Sequence, residues 1–297
     1  MKNNRITVYK YDVFTNTPNK GNPAGVVLNA DNLSDKEMQE IAYRVGFNET
    51  AFVVKSDKAD LRIRYFTPGH EMNLCGHGTV ATLYSLKSKE LINKSDNIRV
   101  ETKAGILQVD LFKKDKELYV LMEQAPPIFK AFKGSIDELA YSIGIRPEDI
   151  DTSSPIVYGS TGTWTLLVPI KTLEAFSRMI PQNKLFPNVL KDMPNCSVHP
   201  FSLETTKQHT HMHSRHFSSP LSGTVEDPVT GTASGVMGGY YITYLTPEVN
   251  KLELVVEQGG EVKRDGEVGV HVTKVNNDIS VSISGTAVYT EEITIEL

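Results

Sequence analysis

The sequence contains the same short unit twice, once in each half of the chain. RYFTP at 64–68 precedes GHGTVA at 76–81, and RHFSSP at 215–220 precedes GTAS at 231–234 at a similar interval. Each copy has the pattern of a strand, a loop, a glycine-rich helix start and a largely apolar helix. A helix that is apolar on most sides must be surrounded by other elements. The repeat therefore predicts an α+β protein of two pseudo-symmetric domains, each with strands wrapped around a central helix, rather than an alternating βαβ fold.

The length of 297 residues suits two such domains. We expect an N-terminal domain at 1–124 with a central helix at about 77–88. We expect a C-terminal domain at 125–297 with a central helix at about 231–245, its last strand being able to return to the first domain. The prolines of Ala125-Pro126-Pro127 are typical of an extended linker between them.

Composition narrows the class of protein. Hydrophobic residues make up 39% and charged residues 23% of the chain, which is typical of a globular domain. A net charge of -5 disfavours nucleic acid or an anionic membrane as partner. No apolar run reaches the ~18 residues of a membrane span, the first residues lack the pattern of a signal peptide, and two cysteines form no disulfide framework. These features predict a cytoplasmic protein.

Local signals place an acidic residue at a strand entrance. Ser34 and Glu37 form a capping box, so a helix begins there, and Gly46 ends it. Glu49 then lies at the head of an apolar strand at 50–54. An acid beside an apolar strand is partly desolvated, which suits a general acid or base; the alternative is an ordinary solvated loop glutamate.

The two glycine-rich helix starts predict an anion site. A helix amino terminus offers unpaired N–H groups and the positive end of a dipole, and Gly76, Gly78 and Gly231 allow close approach to that backbone. His77 can donate to a substrate oxygen or titrate near neutrality. Asp227 can orient a substrate group or cap its loop. The alternative is that the glycines merely begin buried helices, but the matched pair favours a carboxylate site.

Five motifs carry a resemblance to a known family. They are GNPAGVVL (21–28), GFNETAFV (46–53), RYFTP (64–68), GHGT (76–79) and EDPVTGTASG (226–235). In this order, and across most of the chain, they resemble the motifs of the phenazine-biosynthesis PhzF-like family.

The resemblance implies a diaminopimelate epimerase-like fold, with two similar domains and the site between them. It also implies a homodimer and catalysis without metal or organic cofactor. In such enzymes a glutamate shuttles a proton during isomerisation of an unsaturated cyclic amino acid, and the matching residue is Glu49. The supporting histidine and aspartate of the family fall on His77 and Asp227.

One position departs from the wider superfamily, which includes racemases with a cysteine base at each helix start. Cys75 resembles the first cysteine, but the second position is Thr230. A threonine hydroxyl is far less acidic than a thiol, whose ordinary pKa is about 8.5, so two-thiol racemisation is not expected. Cys75 is then a second acid, a relic or a small buried residue.

Other patterns are weaker. GHGTVA at 76–81 also fits a dinucleotide-binding pattern, but the loop at 67–75 separates it from the preceding strand. Ser234 is out of register for a G-x-S-x-G elbow. A strand at 211–217 would carry most of a histidine cluster on the protein surface, and no acidic residue nearby in the sequence completes a metal site: His209, His211, His213 and His216.

The sequence therefore predicts an isomerase that moves a proton or double bond next to the carboxylate of a small amino- or hydroxy-acid-like substrate. Glu49 is the expected acid/base, with His77 and Asp227 as supporting catalytic residues. The expected substrate-binding residues are those of the two helix starts: Cys75, Gly76, Gly78, Thr230, Gly231 and Thr232. A lyase that dehydrates a hydroxyproline-like acid and a non-catalytic small-ligand-binding protein are the alternatives. The loops at 69–74 and 218–225 carry no pattern that names the substrate.

Overall fold

The computed structural model describes residues 5–92, 96–276 and 278–297. The chain forms two compact units. The first contains the residues up to Glu123 together with Ser284–Leu297, and the second contains Gln124–Ile283.

The strands, in chain order, are β1 (Arg5–Val13), β2 (Asn22–Val27), β3 (Thr50–Val54), β4 (Leu61–Phe66), β5 (Glu71–Met72), β6 (Asn97–Thr102), β7 (Gly105–Lys114), β8 (Glu117–Glu123), β9 (Ile128–Ala131), β10 (Val157–Ser160), β11 (Trp164–Pro169), β12 (Ser197–Ser202), β13 (Met212–Ser214), β14 (Lys251–Gln258), β15 (Gly266–Val275), β16 (Asp278–Gly285) and β17 (Ala287–Glu296). The α-helices are α1 (Asp35–Val45), α2 (Gly76–Ser88), α3 (Ile136–Ile143), α4 (Leu173–Arg178), α5 (Phe186–Val189) and α6 (Gly231–Tyr240). Among the described residues, no helix has the length and apolar character that crossing a membrane requires.

The first unit is built around α2. Its strands pair in the order β17-β1-β2-β3-β4-β6-β7-β8, with β5 on the end of β4. The pairs β2–β3 and β4–β6 are parallel and the others antiparallel. Helix α2 packs against β1, β2, β3, β8 and β17, and its residues from Gly78 to Leu83 are all buried. The prediction of strands around a central apolar helix is confirmed for this unit.

Helix α1 covers the outer side of this sheet. Ser34 caps it through a capping box with Glu37, and Gly46 ends it in the left-handed conformation at φ 71°. Its buried residues Met38 and Ile41 pack into a cluster with apolar side chains of β1, β2, β3 and β4. The start and the end of α1 agree with the sequence prediction, because hydrogen bonds between neighbouring residues define both ends.

The second unit repeats the plan around α6. Its strands pair in the order β9-β10-β11-β12-β13-β14-β15, with β11–β12 and β13–β14 parallel. Helix α6 packs against β10, β14 and β15. A Cβ at Gly238 would lie 2.5 Å from Val270 Cγ1, so only glycine lets β15 approach this closely. The helix expected at 231–245 is α-helical to Tyr240 and continues as a π-helical turn, Tyr241–Leu245.

A second layer covers this unit; the apolar spacing at 136–143 indicates its helix α3, whereas α4 and α5 were not predicted. Helices α3, α4 and α5 pack over a core that includes Leu139, Phe176 and Phe186. The lengths of α4 and α5, 6 and 4 residues, are too short for a helical periodicity to be visible. Strand β12 is buried at all of its positions, so it lacks the alternation of a half-buried strand.

Candidate active site

Glu49 lies where the chain leaves α1 and enters β3. Its carbonyl accepts a hydrogen bond of 3.3 Å from the amide of Gly25, at the start of the β2–β3 pairing. Its side chain is only 17% exposed. The carboxylate is therefore held at a strand entrance rather than on a solvated loop.

The start of α2 is capped by a thiol. Cys75 is the N-cap residue, and its Sγ accepts a hydrogen bond of 3.3 Å from the amide of Gly78. The hydroxyl of Thr79 donates to the Cys75 carbonyl at 2.8 Å and lies 2.6 Å from the Tyr65 hydroxyl. A Cβ at Gly78 would lie 3.1 Å from Sγ and 3.2 Å from the Tyr65 ring, so packing within the protein already favours glycine here.

His77 joins the two preceding groups into one cluster. Its Nε2 lies 3.0 Å from Oε2 of Glu49, and the Sγ of Cys75 lies 3.7 Å from Nδ1 and 3.8 Å from Nε2. Nδ2 of Asn22 is 3.5 Å from Nδ1 on the other side of the ring. A carboxylate, an imidazole and a thiol therefore meet at the amino terminus of a buried helix. Their separation in sequence does not show this; the fold of the first unit brings them together.

Electrostatics set the protonation of this cluster. Burial lowers the pKa of His77, but the acidic groups of Cys75 and Glu49 outweigh burial and raise it well above its ordinary value. Burial raises the pKa of the Cys75 thiol, and His77 offsets this only in part. The imidazole of His77 therefore holds its proton more tightly than a free imidazole does, and the buried thiol of Cys75 is a weaker acid than a free thiol.

The same three side chains include the donors that metal ions use. The ligand atoms of Glu49, Cys75 and His77 all lie within 4.8 Å of one another. Thiolate, imidazole and carboxylate together are a donor set for transition metals.

The helix start of α6 is organised differently. Thr230 is its N-cap residue, but the hydroxyl donates to Oδ2 of Asp227 at 2.5 Å and makes no cap bond. Gln258 on β14 accepts from the Thr230 amide at 3.2 Å and donates to the Asp227 carbonyl at 2.8 Å. Gly231 is buried and Thr232 half-buried. Asp227, Thr230, Gly231 and Thr232 thus form one local group in the second unit, and Cys75, Gly76, His77 and Gly78 form the matching group in the first.

Each of these loops is tied to its preceding strand by an arginine. Arg64 donates to Glu71 at 2.8 Å, and Arg215 makes a two-pronged pair with Glu226 at 2.8 and 2.6 Å. The Arg215–Glu226 pair is buried, with side-chain exposures of 7% and 9%. Both arginines belong to the sequence repeat. Their glutamate partners do not, because Glu71 follows Arg64 by 7 residues and Glu226 follows Arg215 by 11. The sequence did not predict Gln258 as a partner of Thr230 and Asp227 either, because it lies outside the repeat.

The histidine cluster differs from the expectation of a surface strand. The strand β13 spans only Met212–Ser214, and His213 is buried. Its Nδ1 and Nε2 each lie 2.8 Å from a carboxylate, those of Glu257 and Glu261. The idea that no acid lies nearby is therefore wrong: these acids come from a strand and loop more than 40 residues later in the chain.

The remaining histidines of this segment serve separate contacts. His216 lies 3.1 Å from His199, Nδ1 to Nδ1, and burial lowers its pKa to about 4. His209 pairs with Glu267 at 2.9 Å. His211 is exposed and accepts from the Val255 amide at 3.0 Å. The four rings thus do not share one face.

Known proteins resemble the chain along nearly its full length. The family described as phenazine biosynthesis-like protein matches residues 11–293. The uncharacterized isomerase YfhB of Bacillus subtilis is 52% identical over 284 residues, which cover 96% of each chain. The trans-2,3-dihydro-3-hydroxyanthranilate isomerase of Pseudomonas aeruginosa is 28% identical over 278 residues, covering 92% of this chain and 93% of that one. A solved PhzF-family phenazine biosynthesis protein of Bacillus anthracis is 53% identical, covers 100% of both chains and gives a TM-score of 0.97.

Fold and relatives together define an isomerase with the diaminopimelate epimerase-like fold. This confirms the fold class and the enzyme class that the sequence motifs imply. The chain belongs to the phenazine biosynthesis-like (PhzF) family.

Proposed function

We propose that this isomerase moves a proton next to the carboxylate of a small amino- or hydroxy-acid-like substrate without a cofactor, and that Glu49 is the acid/base. The observation that supports this most is the contact of 3.0 Å between the largely buried Glu49 carboxylate and the imidazole of His77. The ring holds this carboxylate beside the start of α2, where it can act as a general base.

The start of α2 supplies the anion subsite in this proposal. The amides of Gly76 and His77 belong to the first turn, so they have no acceptor within the helix. Together with the positive end of the helix dipole they bind the substrate carboxylate. This places the carbon next to the carboxylate close to Glu49. Asp227, Thr230, Gly231 and Thr232 of the second unit stay proposed site residues on the family resemblance alone.

The proton balance of the step is simple. Glu49 takes a proton from the carbon next to the carboxylate, and the electron pair shifts into the adjacent unsaturated system. Glu49 then returns the proton to another carbon of that system, so substrate and product have the same mass. The imidazolium of His77 stabilises the negative charge that develops between the two transfers.

Solvent deuterium exchange tests this mechanism. The first compound to assay is trans-2,3-dihydro-3-hydroxyanthranilate, the substrate in the name of the Pseudomonas aeruginosa relative, followed by other small unsaturated amino and hydroxy acids. The wild type is expected to incorporate deuterium into product at unchanged chemical composition. Glu49→Gln is expected to lose about 10²–10⁴-fold in rate, the usual contribution of a general acid or base.

Glu101→Gln is the matched control, because Glu101 lies in the same unit and its side chain is 19% exposed, close to the value for Glu49. It is expected to keep the wild-type rate. Equal rates for Glu49→Gln and wild type would contradict the proposed role. A product that has lost water would identify the lyase alternative, and ligand binding without any exchange would identify a binding protein.

A further inference from the structure

A chain of buried hydroxyl groups links strand β4 to the start of α2. The Tyr65 hydroxyl lies 2.6 Å from that of Thr79, and the Thr79 hydroxyl donates to the Cys75 carbonyl at 2.8 Å. Because Thr79 uses its one hydroxyl proton on that carbonyl, Tyr65 is the donor between the two hydroxyls. Tyr65 and Thr79 are both fully buried, so the link is shielded from bulk water.

The strand end of this link is held firmly. Tyr65 lies between two neighbouring strands, opposite Ala51 of β3 and Met72 of β5. Its ring also packs against the helix start, because a Cβ at Gly78 would lie 3.2 Å from it. The Tyr65 hydroxyl is therefore a fixed point on the sheet, and the first turn of α2 is bonded to it.

The carbonyl at the helix end of the link belongs to the same peptide group as the Gly76 amide. A trans peptide is planar, so its C=O and N–H point in opposite directions and cannot turn separately. The Cys75 carbonyl accepts from the Thr79 amide at 3.0 Å as well as from the Thr79 hydroxyl, and two donors fix its direction. They also polarise the peptide, which makes the Gly76 N–H a stronger donor. Gly76 itself is only half-buried.

The second unit has half of this arrangement. Ser234 takes the place of Thr79 in the repeat and donates to the Thr230 carbonyl at 2.9 Å, so the bond to the cap carbonyl is common to both units. His216 takes the place of Tyr65, and it contacts a second histidine at 3.1 Å. The tyrosine donor therefore belongs to the helix start of the first unit.

We propose that Tyr65 is a positioning residue of the reaction. Through Thr79 it fixes the peptide group that carries the Gly76 amide, and so aims this amide at the substrate carboxylate. This role rests on the proposed function, in which the Gly76 amide binds that carboxylate. The amide holds the carboxylate both before and during proton transfer, so poorer aim weakens the ground state and the transition state alike. KM is therefore expected to rise with little change in kcat.

Tyr65→Phe tests this role, because it removes the hydroxyl, keeps the ring and leaves Thr79 its acceptor. In the deuterium-exchange assay we expect KM to rise about 3–10-fold, the usual worth of one hydrogen bond, with kcat within about twofold of the wild type. Tyr11→Phe is the matched control, since Tyr11 is also buried and its hydroxyl donates at 2.9 Å to Ser85, near the other end of α2. It is expected to keep both values. Equal KM values for the two variants, or a lower kcat at unchanged KM, would overturn the role.

A second substitution guards against misfolding of the first. Thr79→Val removes the hydroxyl bond to the Cys75 carbonyl and is expected to raise KM as Tyr65→Phe does, whereas Thr79→Ser keeps the hydroxyl and is expected to restore it. The double variant is expected to raise KM no further than Thr79→Val, because both substitutions cut the same link. Circular dichroism shows that each variant is folded. Effects of the two substitutions that simply add would contradict a single link.

A binding measurement separates this role from the proposed reaction. Benzoate, a small carboxylate, is titrated into isotopically labelled protein while the Gly76 amide proton is followed by NMR. We expect a downfield shift, with Tyr65→Phe needing about 3–10-fold more benzoate than the wild type and Tyr11→Phe needing the same. Absence of the shift in the wild type, or an equal titration in Tyr65→Phe, would overturn the role. Weaker benzoate binding by Tyr65→Phe in a protein that exchanges deuterium into no substrate would support the aiming of Gly76 and contradict only the proposed reaction.

Discussion

The ion pair of His213 in the second unit predicts how much unfolding free energy a single substitution should remove. Burial lowers the pKa of His213, but hydrogen bonds and charges from Glu257 and Glu261 outweigh it and raise the pKa from 6.5 to about 9. A change of this size corresponds to about 3 kcal/mol of unfolding free energy. Burial also raises the pKa of Glu257, but His213 and the Thr206 and Thr210 groups reverse this and bring it from 4.5 down to about 2. Both pKa shifts arise largely from the same His213–Glu257 interaction, so their contributions to the unfolding free energy are not added.

The direction of the pH dependence is fixed by these shifts. A raised histidine pKa stabilises the folded state fully below pH 6.5, and the contribution is lost as the pH rises to about 9. A lowered glutamate pKa stabilises it fully above pH 4.5, and the contribution is lost as the pH falls to about 2. The pair therefore contributes most between pH 4.5 and 6.5.

Glu257→Gln is the perturbation that tests this. Because Glu261 still pairs with His213, we expect the substitution to remove part of this stabilisation, lowering the unfolding free energy at pH 6 by about 1–3 kcal/mol and the melting temperature by about 2–12 °C. The gap is expected to narrow above pH 9. Glu267→Gln is the control: its partner His209 is 63% exposed, so the cost stays below about 1 kcal/mol. Thermal and denaturant unfolding at pH 6 and pH 10 measure both. A gap for Glu257→Gln that is no larger than that of the control, or that widens in alkali, would refute the reasoning.

Three further predictions concern the helix starts. Arg215→Lys, which removes the two-pronged grip on Glu226, is expected to lower kcat by about 10–100-fold through displacement of the adjoining loop. Arg178→Lys, at another ion pair of the same unit, serves as its control, and equal kcat values for the two variants would argue against such positioning. Gly78→Ala is expected to cost about 1–3 kcal/mol, since the methyl would lie 3.1 Å from the capping thiol; an unchanged denaturant midpoint would disprove the crowding. Because the pKa of His77 is raised, the loss of kcat/KM caused by deprotonation of His77 is expected on the alkaline side of neutrality, and an alkaline limb centred at or below the ordinary histidine pKa would contradict a protonated imidazole.

Local sequence signals predicted much of the first unit. The boundaries of α1 follow from Ser34, Glu37 and Gly46, because these residues act on the backbone next to them. The burial of α2 follows from its near-continuous apolar sequence, since few of its positions could face water. Both signals lie within a few residues of the feature they specify.

Contacts between distant segments could not be predicted in this way. Nothing near His213 in the sequence announces Glu257, because β13 and β14 meet only after the intervening chain has folded. Gln258 is one polar residue at the end of an apolar strand, and only the parallel pairing of that strand brings it to Thr230. The 3.0 Å contact of Glu49 with His77 likewise depends on how β3 lies against α2.

The hydroxyl of Thr230 has a consequence for the evolution of catalysis on this fold. A racemase with a thiol base at each helix start would need cysteine at this position. The hydroxyl oxygen, however, lies 2.5 Å from the carboxylate of Asp227, and a thiolate placed there would face that negative charge. The repulsion would raise the thiol pKa and make it a poor base at neutral pH. A second thiol base at this helix start would therefore need Asp227 to change together with Thr230.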